Sequence, residues 1–378
     1  PSPFAYPGRR RANQLCLFAD LRGAIMPGSM ADPVRVAIAV PLEPELVEPI
    51  RAVDARVEVT YLPDLLPPVR YPNDHRGVDD YSRSPEEEQR WWEMIAAAEV
   101  LYGIPGDSPE GLACAVRRGG ALRWIQATSA GAGEQVSTAG LSEDDLHRVT
   151  VTSAAGVHAG PLAEFALFGL LAFARGLPRL LADQHARRWG HYPVGELSGR
   201  TLLIVGLGQI GEEVARLAAA FGMRVVGISR SAASDSPHVH EVRRTSELHE
   251  CLPEADAIVI SAPLTEATRG LIDAAAIARI KPGAIFVNVG RGGVVDEPAL
   301  IEALRSGRLA GAALDVFASE PLPAESPLWE LPNVLVSPHT AGLSVRENER
   351  IAALFVENLG RYLRGEGLRN RVDPELLY

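Results

Sequence analysis

A glycine-rich turn stands inside a complete strand–helix–strand unit in the second half of the chain. The turn, Gly206-Leu-Gly-Gln-Ile-Gly211, follows the apolar run Thr201–Val205. It precedes an alanine-rich helical stretch, Glu212–Phe221, and a second apolar run, Arg224–Ile228. Two such strands joined by one crossover helix must lie parallel in one sheet, so this unit restricts the chain to α/β architectures.

The three glycines of this turn suit the pyrophosphate of a dinucleotide. Gly206 permits the tight turn, Gly208 lets the backbone approach the phosphates, and Gly211 lets the helix pack closely on the strand. The helix N-terminus, with Gln209 and Ile210, offers N–H groups and a partial positive charge. We therefore expect all five residues to bind a nicotinamide dinucleotide.

The end of the second strand bears on the choice of cofactor. Sites that prefer NAD place an acid there, about 20 residues after the turn, to bind the ribose 2′-hydroxyl. Here the strand ends Gly227-Ile-Ser-Arg-Ser231, without a carboxylate. Ser229 and Arg230 suit a 2′-phosphate, so NADP(H) is favoured. NAD(H) stays possible, with Arg230 as a solvated loop residue.

The rest of the chain continues the alternation of short apolar runs and helical stretches. We expect two doubly wound parallel-sheet domains. The predicted strands outside the unit above are Val34–Val40, Ala55–Tyr61, Val100–Gly103, Leu122–Gln126, Val149–Thr152, Ala257–Ser261, Ala284–Asn288, Gly311–Asp315 and Val334–Val336.

The order of the predicted elements suggests domain boundaries. Residues 155–341 form the expected dinucleotide-binding domain, and residues 30–154 the substrate-binding domain. A last predicted helix, Val345–Arg364, leads the chain back, so residues 342–378 join the substrate-binding domain. Residues 1–29 precede the first predicted strand and are expected to be a disordered extension.

Bulk properties exclude several function classes. With 378 residues and a formal net charge of −11, the chain is not expected to bind nucleic acid or an anionic membrane. No apolar run approaches the roughly 18 residues of a membrane span, so we expect a cytoplasmic protein. Its three cysteines lie far apart and predict neither disulfides nor a zinc site. His238 and His240 lack further ligands, so no metal is expected.

Three chemically competent side chains each follow a predicted strand. Arg291 lies in Asn288-Val-Gly-Arg-Gly-Gly-Val-Val-Asp296, Glu320 in Asp315-Val-Phe-Ala-Ser-Glu-Pro-Leu-Pro323, and His339 in Ser337-Pro-His-Thr-Ala-Gly342. Singly, they could be a surface ion-pair partner, a helix-start acid and a turn residue. Together, at the carboxyl ends of strands where ligands gather, they point to a catalytic set.

These segments resemble the D-isomer-specific 2-hydroxyacid dehydrogenase family, nearer its glyoxylate/hydroxypyruvate reductase branch. Residues 122–345 carry the resemblance, with Gly206–Gly211 and Ala262-Pro-Leu-Thr-Glu-Ala-Thr-Arg-Gly270 among its motifs. The resemblance implies a Rossmann nucleotide-binding domain, a flavodoxin-like substrate domain, and a small 2-keto or 2-hydroxy acid as substrate. It also implies a homodimer, with the segment Gln184–Val194, which includes Trp189, at the interface.

The resemblance also implies a role for each member of the set. Arg291 binds the carboxylate and carbonyl of the substrate, for which its planar fork is suited. His339 gives or takes the proton, since the ordinary pKa of imidazole, about 6.5, lies near working pH. Glu320 holds this imidazole and favours its protonated form.

Other residues have roles implied by the same resemblance. Asp315 orients the nicotinamide carboxamide, Pro263 and Thr268 form the adenosine side of the site, and Val289 contacts the cofactor. Gly103 and Ile104, in the loop before Pro105, present backbone N–H groups to the substrate carboxylate. We expect residues 129–133 nearby, and the long loop 63–85 at the border of the cleft.

Two other functions stay open at the level of sequence. A formate dehydrogenase-like enzyme shares the scaffold but carries glutamine where Glu320 stands here. A nicotinamide-sensing regulator of the corepressor type could keep the same three residues and bind a partner instead. The sequence leaves undetermined which 2-keto acid is physiological, the oligomeric state and the net direction of the reaction.

Overall fold

The chain folds into two parallel sheets that are covered by helices. The computed structural model describes residues 32–230 and 236–373, and from Val34 onward these form one compact unit. The predicted extension 1–29 lies outside the described residues. Every pair of neighbouring strands is parallel. The predicted α/β class with two doubly wound sheets is confirmed.

The first sheet has five strands in the order β2-β1-β3-β4-β5. Its strands are β1 Val34–Ile38, β2 Val57–Tyr61, β3 Val100–Tyr102, β4 Trp124–Gln126 and β5 Thr150–Thr152. This is the flavodoxin-like order, in which the chain winds one way from β1 and the other way from β3. The gap between the carboxyl ends of β1 and β3 is therefore a place where ligands bind in such sheets.

The second sheet has seven strands in the order β12-β11-β10-β9-β6-β7-β8. Its strands are β6 Thr201–Val205, β7 Arg224–Ser229, β8 Glu241–Arg244, β9 Ala257–Ile260, β10 Ile285–Asn288, β11 Gly311–Leu314 and β12 Val334–Val336. The winding direction changes between β6 and β9. Sequence reasoning missed β8, because this edge strand is charged and only half-buried and so lacks an apolar pattern.

Helices connect the strands and cover both sheets. Their bounds are α1 Pro44–Arg51, α2 Pro85–Ala97, α3 Pro109–Arg118, α4 Ala132–Thr138, α5 Glu143–Arg148, α6 Ala159–Ala174, α7 Leu177–His185, α8 Gln209–Ala220, α9 Leu248–Cys251, α10 Ala274–Arg279, α11 Glu297–Arg305 and α12 Glu347–Leu363. Within the described ranges no single helix is long and apolar enough to cross a membrane. Among the described residues, α6 and α7 pass this test of length and composition when they are taken together, with a bend of 63° between them.

Local sequence explains where a helix such as α2 begins. Ser84 accepts a hydrogen bond from the backbone N–H of Glu87, whose carboxylate accepts one from the N–H of Ser84. Pro85 follows at the first helical position, where its missing N–H has no cost. The helix therefore begins at Pro85, with Ser84 as its N-cap.

The two long helices α6 and α12, which follow the last strand of the first and second sheet, pack on different sheets. The apolar face of α12 carries Ile351, Phe355 and Leu359 into the core beside β1, β3 and β4. The ring of Phe355 stacks on Trp124, with 4.9 Å between centroids. The helix α6 packs instead on the seven-stranded sheet, where Gly169 admits the side chain of Ala313.

Candidate active site at the carboxyl ends of the strands

The glycine-rich turn lies at the switch point of the seven-stranded sheet. Gly206 has a φ of +107°, and a Cβ atom there would lie 2.6 Å from the backbone nitrogen of Ala262. A Cβ atom on Gly211 would lie 2.2 Å from the carbonyl oxygen of Gly206. By contrast, a Cβ on Gly208 would meet no heavy atom within 4 Å. The turn is thus close-packed behind and open in front, which suits an approaching pyrophosphate.

A buried asparagine shapes the loop that carries Arg291. The amide of Asn288 donates to the carbonyl oxygen of Arg291 at 3.2 Å, and its oxygen accepts from the N–H of Gly290 at 3.0 Å. A Cβ on Gly292 would collide with the backbone of Phe317, so the loop is fixed from behind as well. Arg291 itself is exposed, and its Nη1 donates to the carbonyl of Gly290 at 2.8 Å.

Glu320 and His339 form a hydrogen bond across two loops. The Nδ1 atom of His339 lies 2.7 Å from Oε2 of Glu320, while Oε1 accepts from the N–H of Phe317 at 3.0 Å. Burial alone would raise the pKa of Glu320. The hydrogen bonds from His339 and Phe317, with the charges of His339 and Arg291, outweigh it and lower the pKa below its ordinary value. The glutamate is therefore an anion at neutral pH.

The turn that carries His339 is held by a buried carboxylate. Asp315, which is 1% exposed, accepts at Oδ1 from the hydroxyl of Ser337 and from the N–H groups of Thr340 and Ala341. Its carbonyl oxygen accepts from the N–H of His339 at 3.0 Å. His339 has a φ of +55°, an uncommon conformation for a residue with a side chain. The hydrogen bonds of Asp315 stabilise that conformation.

The loop that contains Gly103 and Ile104 has one backbone N–H, not the expected two, that could donate to a ligand. The N–H of Gly103 donates to the carbonyl of Gln126 at 2.8 Å, so it is already used inside the fold. The expectation that Gly103 presents this N–H to a ligand therefore does not hold in this conformation. The N–H of Ile104 donates to no group in residues 32–230 or 236–373. It is the amide that remains for a ligand.

The loop at 129–133 lies next to Arg291. A Cβ atom built on Gly131 would be 3.9 Å from Nη2 of Arg291. Arg291 is attached to the seven-stranded sheet, while this loop leads from β4 of the five-stranded sheet into α4. The guanidinium of Arg291 therefore stands between the loops of the two sheets.

Comparison with known proteins places the chain in a family. The family model described as D-isomer specific 2-hydroxyacid dehydrogenase, NAD binding domain, matches residues 167–341. The (S)-sulfolactate dehydrogenase of Chromohalobacter salexigens is 39% identical over 221 residues, which is 57% of this chain and 70% of that protein. The glyoxylate reductase of Korarchaeum cryptofilum is 39% identical over 245 residues, which is 63% of this chain and 73% of that protein.

A solved structure extends the likeness over most of the chain. It is the NADPH-dependent glyoxylate/hydroxypyruvate reductase of Sinorhizobium meliloti, in complex with NADP and sulfate. It has a TM-score of 0.70 and 26% identity, and the match covers 91% of this chain and all of that one. The chain belongs to the D-isomer specific 2-hydroxyacid dehydrogenase family. It is an oxidoreductase of 2-hydroxy acids with a nicotinamide dinucleotide as cofactor, and the predicted resemblance is confirmed.

The predicted cofactor contacts of this dehydrogenase follow neighbouring strands. The strand β7 ends at Ser229, and Arg230 comes directly after it. Thr268 donates to the carbonyl of Pro263 at 2.6 Å, which closes the turn after β9. Val289 is buried, and its N–H donates to the carbonyl of Ile260. Because the carboxyl ends of parallel strands share one edge, these residues lie on the same edge as Gly206.

Sequence reasoning on this dehydrogenase missed a contact of Gln209. A Cβ on Gly156, which has a φ of +86°, would lie 1.6 Å from Oε1 of Gln209. Gly156 stands in the crossing between β5 and α6, so the dinucleotide turn touches the connection between the two sheets. An isolated glycine outside any recognised motif gave no signal for this contact. The described residues contain no group of three or more His, Cys, Asp or Glu side chains that could hold a metal ion.

Proposed function

We propose that this dehydrogenase reduces small 2-keto acids of the glyoxylate and hydroxypyruvate type, with NADPH as the favoured cofactor. The observation that carries the proposal is the His339–Glu320 pair at 2.7 Å, on the sheet edge that also bears Arg291 and the dinucleotide turn. The relatives named glyoxylate reductase and the NADP-bound reductase of S. meliloti support it.

Each residue of the set has a distinct part in this reaction. The bound dihydronicotinamide supplies the hydride, and the protein supplies position and charge. Arg291 binds the substrate carboxylate with its planar fork, aided by the N–H of Ile104. Since Glu320 occupies Nδ1 of His339, Nε2 is the nitrogen that delivers the proton to the carbonyl oxygen. Glu320 is a positioning residue that keeps this imidazole oriented through the hydrogen bond to Nδ1.

The preference for NADPH rests on cations at the end of β7. Ser229 and Arg230 supply a hydroxyl and a guanidinium where a 2′-phosphate would lie. A second cation is Arg244, which stands in register with Ser229 on the edge strand β8. Arg244 was not anticipated, because β8 was not recognised. Asp315 and Val289 are proposed to contact the nicotinamide side of the cofactor, and Pro263 and Thr268 the adenosine side.

The proposal includes the domain boundaries and a homodimer. Residues 30–154 with 342–378 make the substrate domain and residues 155–341 the nucleotide domain, which agrees with the packing of α12 and α6 described above. An exposed apolar surface on α6, α7 and the segment after them favours pairing of two copies. Its members are Phe168, Leu180, Leu181 and Trp189, and Trp189 is 94% exposed. Sedimentation of the wild type and Trp189→Ala tests this interface.

A kinetic panel tests the activity. Glyoxylate, hydroxypyruvate and pyruvate are each run with NADPH and with NADH, on the wild type and on His339→Ala and Arg291→Lys. We expect turnover with NADPH, a fall in kcat of about 10²–10⁴-fold in His339→Ala, and a raised KM in Arg291→Lys. Tight NADPH binding without turnover of any 2-keto acid would favour a regulator instead. Turnover of formate with NAD would favour a formate dehydrogenase.

A further inference from the structure

A pocket opens at the switch point of the five-stranded sheet, beside the proposed substrate loop. Its volume is about 310 Å³, enough for a small ligand. Its lining includes Ala39, just after β1, with Pro105 and Gly106, in the loop after β3. The loop 66–83 and helix α2 close it from the side. This is the position where open parallel sheets bind ligands.

The loop over this pocket is fixed by a buried carboxylate. Asp74, which is 2% exposed, accepts two hydrogen bonds from the guanidinium of Arg70 and others from the backbone N–H groups of Arg70, Arg76 and Gly77. These hydrogen bonds fix the backbone of the loop, so its side chains have defined positions. The pocket is therefore preformed on this side.

The lining of the pocket carries basic and aromatic side chains. His75, Arg76 and Arg83 face it against a single carboxylate, Asp79, although the whole chain has a net charge of −11. Arg83 already has partners: it lies over the ring of Trp91, donates to the carbonyl of Leu65 and pairs with Glu88 at 3.2 Å.

Arg76 is the cation that a ligand can recruit. Its partner is Asp79, at 2.9 Å, and both side chains are more than 60% exposed. An exposed ion pair of this kind is weak, so its guanidinium can turn to an anion in the pocket.

The pocket is physically joined to the proposed catalytic site. Ile104, whose N–H is proposed to bind the substrate carboxylate, immediately precedes Pro105 in the pocket lining. The side chain of Asn73 donates to the carbonyl of Ser344 at 2.7 Å, and Nε2 of His75 lies 2.7 Å from Oδ1 of Asn348. Ser344 and Asn348 follow the turn that carries His339. The pocket loop and the turn of His339 are thus connected through a few residues.

We propose that this pocket receives the far end of the substrate and selects 2-keto acids that carry a second anionic group. The inference rests on the proposed 2-keto acid reductase activity and goes beyond its named substrates, since glyoxylate and hydroxypyruvate lack a second anionic group. The reacting keto-carboxylate lies at Arg291, Ile104 and His339, and a carboxylate, sulfonate or phosphonate on the third carbon reaches Arg76 and His75. A two-carbon acid such as glyoxylate leaves the pocket without an occupant.

Substrates matched in length but not in charge test the selection. Oxaloacetate is compared with 2-oxobutyrate and glyoxylate, with NADPH, on the wild type, Arg76→Gln and Arg90→Gln. Arg90 is an exposed arginine on α2 that does not line the pocket, so it is the matched control. We expect the wild type to prefer oxaloacetate to 2-oxobutyrate. Only Arg76→Gln should lower kcat/KM for oxaloacetate, by about tenfold, with glyoxylate within twofold of the wild type.

The outcomes separate this inference from the proposed function. Turnover of glyoxylate without any preference for oxaloacetate overturns the inference and leaves the proposed function intact. An equal loss for all three substrates in Arg76→Gln also overturns it. If no 2-keto acid is turned over, calorimetry measures the binding of succinate and of butyrate in the presence of NADPH. This measurement then tests whether the pocket binds an anion. Binding of succinate that Arg76→Gln removes supports an anion pocket, and its absence in the wild type rejects one.

Discussion

His339 and Glu320 meet at 2.7 Å although they follow different strands, β12 and β11. These strands are neighbours in the seven-stranded sheet, with Leu314 in register with Val336. The loops that follow these two strands therefore leave the sheet side by side. Asp315, in the loop after β11, accepts hydrogen bonds from the N–H groups of Thr340 and Ala341 in the loop after β12. The proposed proton donor is therefore held by a side chain from the loop after the neighbouring strand.

Replacing Glu320 by glutamine should slow the reaction more than it disturbs binding. Glutamine keeps the size of the side chain but removes the negative charge that holds Nδ1 of His339 at 2.7 Å. We expect kcat for glyoxylate to fall by roughly tenfold or more at pH 7, with KM within about threefold.

Glu320→Asp is the control for charge, and unfolding at different pH is the control for structure. Aspartate should restore part of kcat if the carboxylate matters. Since the pKa of Glu320 is lowered in the folded protein, its contribution to stability is present at neutral pH and is lost as the pH falls below about 4.5. The difference in Tm between the wild type and Glu320→Gln should therefore shrink toward acid pH. A difference that grows there would contradict the lowered pKa of Glu320.

Replacing Arg230 by alanine should change the choice of cofactor. The guanidinium is proposed to bind the 2′-phosphate, which NADH lacks. We expect KM for NADPH to rise about tenfold while KM for NADH changes less than twofold. Arg243→Ala is the control, because Arg243 is an exposed arginine of β8 engaged by Glu241 and Glu247. Equal losses with both cofactors would reject the assignment of Arg230.

Replacing Asp74 by asparagine should destabilise the loop over the substrate-domain pocket. Its hydrogen bonds with Arg70 hold the pKa of Asp74 well below the usual range, against the effect of burial. Asparagine removes the charge, and we expect the free energy of unfolding to fall by about 1–3 kcal/mol at pH 7. This loss should diminish as the pH falls below about 3.8, where the unfolded carboxyl is protonated. Denaturant unfolding of Asp74→Asn and of the exposed Asp80→Asn measures it.

Replacing Gly156 by alanine should weaken cofactor binding, although Gly156 lies outside the dinucleotide turn, in the segment between β5 and α6. The new methyl group takes the place of the Gln209 amide, which must leave its position beside the dinucleotide turn. We expect Kd for NADPH to rise several-fold and stability to fall by about 1 kcal/mol, since φ is +86° there. Fluorescence titration and thermal unfolding measure both.

Two further variants separate the effects at Gly156. Gly160→Ala is the matched control, because nothing lies within 4 Å of its Cβ and it stands in the helix α6. Adding Gln209→Ala to Gly156→Ala removes the steric conflict but keeps the backbone cost. If Gly156→Ala bound NADPH as the wild type does, the displaced Gln209 would have no part in binding.

The sequence was sufficient to predict the fold class and the glycine-rich turn. It was also sufficient to predict which reactive residues follow which strands along the chain. Buried parallel strands such as Thr201–Val205 are continuous apolar runs, and Gly206–Gly211 directly follows one of them. The edge strand Glu241–Arg244 was missed because partial burial requires no apolar run. Arg291 and His339 could be singled out because each follows a strand, and carboxyl ends of parallel strands converge.

Only the tertiary structure decided which atoms meet. The use of the Gly103 amide by Gln126, the contact of Gln209 with Gly156 and the pocket lined by Arg76 all join residues distant in sequence. Local propensity and periodicity depend on a few neighbouring residues, whereas these contacts depend on how two sheets and their loops pack. The amino-acid order specifies the strands and the reactive side chains, and the packing selects their partners.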